Sequence, residues 1–274
     1  GASRGIGRAI ARRLASAGAT LVVTARSVET ATDHPGTLAE TVAMIEAAGG
    51  RAIALGCDLE RDADCVALVD RAAAAAGPVD ILVNNAGLAD YDRVETMAID
   101  MFDRTLQHYL RAPFLLARSA IPGMRARGAG WIVNIGSVTA QPPLRPYGPF
   151  DSQGGVTVYA AVKAAMNRFT QGLAAELLDA NIAVNLVAPS TAILTPGAAR
   201  YIPEGYPGEN VAYLAQTVLE MCRLPAAERT GLLAHSMHFP FAHGLSVRDL
   251  DGITPLPPAT IPEGSHPAVN PTGL

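Results

Sequence analysis

Short apolar runs of strand length alternate along this chain with longer stretches whose apolar residues recur at helical spacing. The strand-like runs are 20–24, 51–57, 80–83, 131–135 and 183–187, and the helical stretches are 37–48, 62–76, 100–120, 158–178 and 211–222. Strands separated by helices predict parallel pairing through right-handed crossovers, an α/β fold with a doubly wound parallel sheet. The alternation fades before residue 253. Residues 253–274 carry six prolines and little apolar periodicity, so a domain over 1–252 is expected to end in an extended or partly disordered tail.

The chain opens Gly1-Ala-Ser3-Arg4-Gly5-Ile6-Gly7, after which Ile6, Ile10 and Leu14 keep helical spacing. Glycines at a helix start let backbone N–H groups approach a pyrophosphate, which the helix terminus favours electrostatically. An ordinary glycine-rich turn has the same look. No strand-like run precedes Gly1. In a doubly wound sheet that first strand is central, and without it two neighbouring strands keep unpaired backbone edges. The expectation is a sheet with its first strand missing, from a trimmed copy of a longer protein.

Tyr159 and Lys163 stand four apart in a helical stretch and so share one face. An ammonium beside a phenol favours the phenolate, lowering its pKa toward working pH and giving a proton donor and acceptor for alcohol and carbonyl chemistry. Ser137 lies upstream, at the end of the apolar run that begins at Trp131. By itself a serine there reads as a turn residue.

Composition narrows the class. The chain has 274 residues, 49% of them apolar and 17% charged, enough for one large domain with a buried core. No uninterrupted apolar stretch is long enough to span a membrane. A net charge of -4 argues against nucleic acid as the main partner. Cys57, Cys65 and Cys222 suggest neither a disulfide framework nor a zinc site, and a cytoplasmic setting is the default. His34, His108, His235, His238, His243 and His266 show no metal-ligand spacing, so no metal is expected.

Together, Gly1-x-x-x-Gly5-x-Gly7, Asp58, Asn84-Asn85-Ala86-Gly87, Ser137, Tyr159 with Lys163, and Pro189 through Thr195 resemble the short-chain dehydrogenase/reductase family, over residues 1 to about 237. The resemblance implies a Rossmann-like sheet, a nicotinamide cofactor and reversible hydride transfer between cofactor and a carbonyl or secondary alcohol. It implies that Tyr159 is the general acid or base, that Lys163 lowers its pKa and binds the nicotinamide ribose, and that Ser137 steadies the substrate oxygen. Asp58 and Leu59 would lie at the adenine, although Asp58 alone reads equally as a cap for the helix near residue 62. Asn85, Ala86 and Gly87 would floor the cofactor site, with Asn84 steadying the sheet. Pro189, Ile193 and Thr195 would contact the nicotinamide amide and phosphates. A homodimer or homotetramer built on the long helices is also implied.

The run 20–24 is followed by Ala25 and Arg26, with no acidic residue to hold the adenosine ribose of NAD and repel a 2′-phosphate. Arg26 and Arg4 offer two guanidiniums for that phosphate, so NADP(H) is expected over NAD. Two solvated surface arginines are the alternative.

Three departures from the family pattern stand out. Tyr109 occupies the place where an asparagine usually kinks the helix and holds a relay water, which allows a second reading as a cofactor-binding protein with weak or no catalysis. Ser137 and Tyr159 are 22 residues apart, a long spacing, and the turn-rich insert 141–155 reads either as a loop at the substrate mouth, with Tyr147 and Phe150 as candidate apolar contacts, or as an ornament on the surface. Ser190 replaces the glycine that usually follows Pro189.

Overall fold

The computed structural model describes residues 1–274 except 32–34, 89, 196, 197, 199–201, 203, 204, 206 and 207, so His34 lies outside the described residues. All strands found are parallel. β1 (Thr20–Ala25) pairs with β2 (Arg51–Gly56), while β3 (Ile81–Asn84), β4 (Gly130–Ile135), β5 (Ile182–Ala188) and β6 (Leu233–His235) form a second sheet in chain order. All seven residues of β5 are buried, as a strand covered on both faces requires.

Side-chain alternation divides the core between the two faces. Val133 of β4 and Val187 of β5 pack with α1 (Gly5–Ser16) and α8 (Val211–Met221), through Ile10, Leu14, Leu214 and Val218. Ile132, Ile182 and Val184 pack on the other face with α5 (Ala112–Arg127) and α7 (Thr157–Leu177). α2 (Leu38–Ala47) covers β1 and β2, and α3 (Asp62–Ala76) packs beside α5. Among the described residues, no helix is long and apolar enough to cross a membrane.

Among the described residues, no strand joins β1 to β3. A cleft of about 810 Å³ opens between β1 and β3, bordered by Leu21 to Thr24 on one side and Ile81 to Asn84 on the other. Neither strand pairs across it.

Two regions differ from the sequence expectation. β6 has only three residues, too few for a periodic signal, yet it closes the far edge of the sheet. The proline-rich segment is extended, but bound rather than free. Leu256 N–H donates to Val247 O, Tyr213 Oη donates to Pro257 O, and Leu233 N–H of β6 donates to Gly273 O. Ala259 and Val269 are buried.

A polar column ties the sheet to α7. Asn84 Nδ2 donates to Asn134 Oδ1 and Asn134 Nδ2 donates to Thr170 Oγ1, each at 2.9 Å, with Asn134 and Thr170 fully buried. Asn84 thus has the sheet-steadying contact expected of it. Asn134→Leu strands the Asn84 amide and should lower stability by about 2 kcal/mol. Thermal melting checks this, with an unchanged midpoint as the contrary result.

Candidate active site

A cleft of about 630 Å³ runs from the start of α1 to the N-terminal turns of α7. The glycine segment forms one end. Gly1, Ser3, Arg4, Gly5, Ile6 and Gly7 all line it, and Arg4 is the N-cap residue of α1, its side chain making no capping bond to the first turn. The first-turn N–H groups of α1 therefore lack a side-chain acceptor of that kind. A Cβ on Gly7 would lie 2.2 Å from Gly1 O, so the turn closes only with glycine there. The cradle is the kind a pyrophosphate fits.

The ends of the strands supply the floor. Arg26, Leu59, Asn85, Ala86, Gly87, Pro189, Ile193 and Thr195 all line the cleft, as expected. Asp58 does not. Its Oδ1 accepts from the Glu60 N–H at 3.1 Å and closes its own turn, while its N–H donates to Asp64. Its side chain thus shapes the turn that leads into α3. Arg26, 40% exposed, lies 3.7 Å from Glu60, a carboxylate that also meets Arg104 and His108 at 3.2 Å. Burial acts to raise the Glu60 pKa, but those hydrogen bonds and charges leave it lowered.

At the other end, Ser137, Tyr159 and Lys163 come together in one cleft. Ser137 closes a short turn after β4, where its Oγ accepts from Thr139 N–H and lies 2.8 Å from Thr139 Oγ1. Ser137, Tyr109 and Tyr91 place their hydroxyls around that of Tyr159, each acting to favour the phenolate. The rings of Tyr91 and Tyr109 stand 5.1 and 5.3 Å from the Tyr159 ring, the latter edge-on.

Lys163, the chain's only lysine, is 4% exposed. Its Nζ donates to Ile135 O at 2.8 Å and sits 4.1 Å from the centre of the Tyr109 ring, against 5.6 Å for the Tyr159 ring. The ring face is a cation–π seat, attractive because the ammonium is desolvated. Burial pulls the Lys163 pKa down to about 7. Burial also raises the Tyr159 pKa, and the hydroxyls around it only partly oppose that rise. The expected effect, an ammonium acidifying its neighbouring phenol, is thus not the state of the free protein. Hydroxyl neighbours, not Lys163, favour the phenolate here.

Tyr109 is brought inward by a π-helical turn, Gln107–Arg111, between α4 (Ile99–Leu106) and α5. Such bulges often mark functional positions. Its Oη donates to Leu88 O at 2.5 Å, and a Cβ on Gly87 would fall 2.2 Å from its ring. Gly87 is therefore required by this tyrosine as well as by the cleft. Burial, then Tyr159, push the Tyr109 pKa well above the ordinary value.

Phe150, on the short helix α6 (Pro149–Gln153) of the insert, lines the cleft. Tyr147 does not; it is half-exposed, with Arg145 over its ring. Tyr91, Thr139, Thr191 and Ala192 line the cleft without having been anticipated. Tyr91 carries no motif, whereas Thr191 and Ala192 fall inside a segment already marked by Pro189 and Thr195.

A Rossmann-like sheet with a glycine cradle at one end of a cleft and a serine, tyrosine and lysine at the other defines a dinucleotide-binding class of protein. The family profile described as short chain dehydrogenase matches residues 1–203, and the chain belongs to that family. It is 37% identical over 191 residues to a 4-formylbenzenesulfonate dehydrogenase of Comamonas testosteroni, covering 69% of each chain. It is 34% identical to a ketoacyl reductase of Nostoc sp., where the match covers 69% of this chain and 60% of that protein's length. A metagenomic short-chain oxidoreductase solved with NADP superposes with a TM-score of 0.69 at 32% identity, covering 86% of this chain and 93% of that one.

The low Lys163 pKa has a thermodynamic consequence. A lysine near 7 when folded and 10.5 when unfolded opposes folding fully below about pH 7, and the cost fades as pH rises toward 10.5. Lys163→Met should therefore melt higher than the parent at pH 7, with the gain shrinking by pH 10. A difference that does not vary with pH would contradict the burial argument.

Proposed function

We propose that the protein is an NADP(H)-dependent oxidoreductase acting on a carbonyl or secondary alcohol. The observation that supports this most is the convergence of Ser137, Tyr159 and Lys163 in the cleft that the glycine cradle opens. The bound nicotinamide supplies hydride to the carbonyl carbon, or takes it from the alcohol carbon in reverse. Tyr159 Oη passes its proton to the substrate oxygen, and Ser137 Oγ donates a hydrogen bond to the same oxygen as charge develops there. Lys163 has donor capacity left beyond Ile135 O for the ribose hydroxyls. Ser3 to Gly7 hold the pyrophosphate, while Arg4 and Arg26 face the adenosine 2′-phosphate. Asn85 to Gly87, Pro189, Ile193 and Thr195 bound the nicotinamide half.

The preference for NADP rests on the absence of an acid at the end of β1 and on Arg26 beside the cleft. The relative solved with NADP accords with it. The substrate is a small carbonyl compound or alcohol entering past Phe150.

One observation favours a second reading, a cofactor-binding protein with weak catalysis. Tyr109 spends its hydroxyl on Leu88 O, and the Tyr159 pKa is raised. Absorbance at 340 nm with NADPH and a panel of ketones, quinones and aldehydes separates the two. Turnover that Tyr159→Phe reduces by roughly 10²- to 10⁴-fold carries the enzymatic reading. Tight NADPH binding without turnover carries the other.

Arg26→Asp should raise the KM for NADPH much more than that for NADH. Equal effects on both would remove the basis for the NADP assignment.

A further inference from the structure

The segment that follows β5 lines the cofactor cleft from Pro189 to Thr195, yet belongs to no helix or strand. Irregular backbone needs other partners to stay fixed. Ser190, buried to 1% exposure, is where they gather. Its N–H donates to Ser236 Oγ at 2.9 Å and to Glu209 Oε2 at 3.3 Å. Its Oγ accepts from the Met237 N–H at 2.9 Å and lies 2.8 Å from His238 Nδ1. Ser236 Oγ donates to Glu209 Oε1 at 2.7 Å. The Glu209 N–H in turn donates to Ala192 O at 2.8 Å.

Two donors, one from the segment after β5 and one from the turn after β6, thus converge on one carboxylate, which stands just before the Asn210 cap of α8. The hydroxyl of Ser190, where family resemblance leads one to expect glycine, joins the same segment to α9 (His238–Ala242). Nothing else in the functional reading uses Glu209, Ser236 or His238.

We propose that Glu209 is a positioning residue for the cofactor segment, gathering the Ser190 N–H and the Ser236 hydroxyl on its carboxylate and the Ala192 carbonyl on its own N–H, so that the backbone from Pro189 to Thr195 is held in its binding shape. This rests on the cleft being a dinucleotide site. An ionised carboxylate accepts both donors; protonation turns one oxygen into a donor and weakens the hold. Burial raises the Glu209 pKa to about 7. The titratable side chains around it among the described residues are His238 of α9 and, 6.0 Å from that ring, His235 of β6; burial lowers both pKa values. The segment is therefore held more firmly as pH rises through 7.

Equilibrium binding of NADPH, followed by its fluorescence without substrate, tests this in the full chain. Glu209→Gln places an amide donor among donors and should raise the Kd about ten-fold, and Ser236→Ala, which removes one donor, should raise it by about two- to five-fold. Wild-type affinity should fall from pH 8 to pH 6 by more than that of Glu209→Gln. Unchanged Kd values in variants that melt like the parent, or the same pH dependence in both proteins, overturn the proposal. Should Glu209→Gln fail to fold, Ser236→Ala decides alone, an unchanged Kd again being fatal. A wild-type chain that binds neither NADPH nor NADH overturns the functional reading and this inference together, whereas tight wild-type binding with unaltered variants overturns this inference alone.

Discussion

A buried ammonium is the constraint around which this cleft is built. Removing a lysine from water is costly unless polar or π partners replace its hydration. Lys163 finds the Ile135 carbonyl at the end of β4 and the face of Tyr109. Each partner imposes a further requirement. The carbonyl is available because β4 ends at Ile135, immediately before Gly136 and Ser137. The ring is in place because a π-helical turn rotates it inward and Gly87 leaves room for it. Ser137, Tyr159, Tyr109 and Gly87 are thereby fixed relative to one another by packing around one charge.

This arrangement differs in kind from a simple ammonium–phenol pair. The expectation from spacing was that Lys163 would acidify Tyr159 directly. Instead the lysine pKa itself is depressed, and the phenol is surrounded by three hydroxyls. A group poised near 7 responds strongly to a new hydrogen-bond acceptor, because stabilising its charged form raises its pKa. Ligand hydroxyls placed beside Lys163 would restore the full charge, and with it the influence on Tyr159. In this account the acid–base pair matures on cofactor binding.

Much of the fold was legible because local pattern and tertiary position agree. The strand runs near 20–24, 51–57 and 131–135 match β1, β2 and β4, and the run 183–187 falls inside β5, whose burial on both faces makes it an unbroken apolar run. The helix carrying Tyr159 and Lys163 followed from spacing alone. β6 and the proline-rich segment were not legible, because three residues carry no period and the prolines are held by isolated backbone bonds to distant partners. Tyr109 announced itself as a departure, but its seat under Lys163 depends on a π-turn that no spacing rule encodes. Asp58 reads from sequence either as an adenine contact or as a cap, and its Oδ1 accepts from the Glu60 N–H in the turn before α3. The Glu209 cluster draws on residues 19 to 48 positions from Ser190 in sequence and leaves no local trace.

Because Lys163 is the chain's only lysine, selective isotopic labelling of lysine gives one side-chain resonance, and its titration by NMR is free of overlap. The account predicts a midpoint near 7 in the free protein and a higher one with NADPH bound. A midpoint at the ordinary lysine value of about 10.4 in the free protein would contradict it, because the ammonium would then be solvated and the cleft organised by something else.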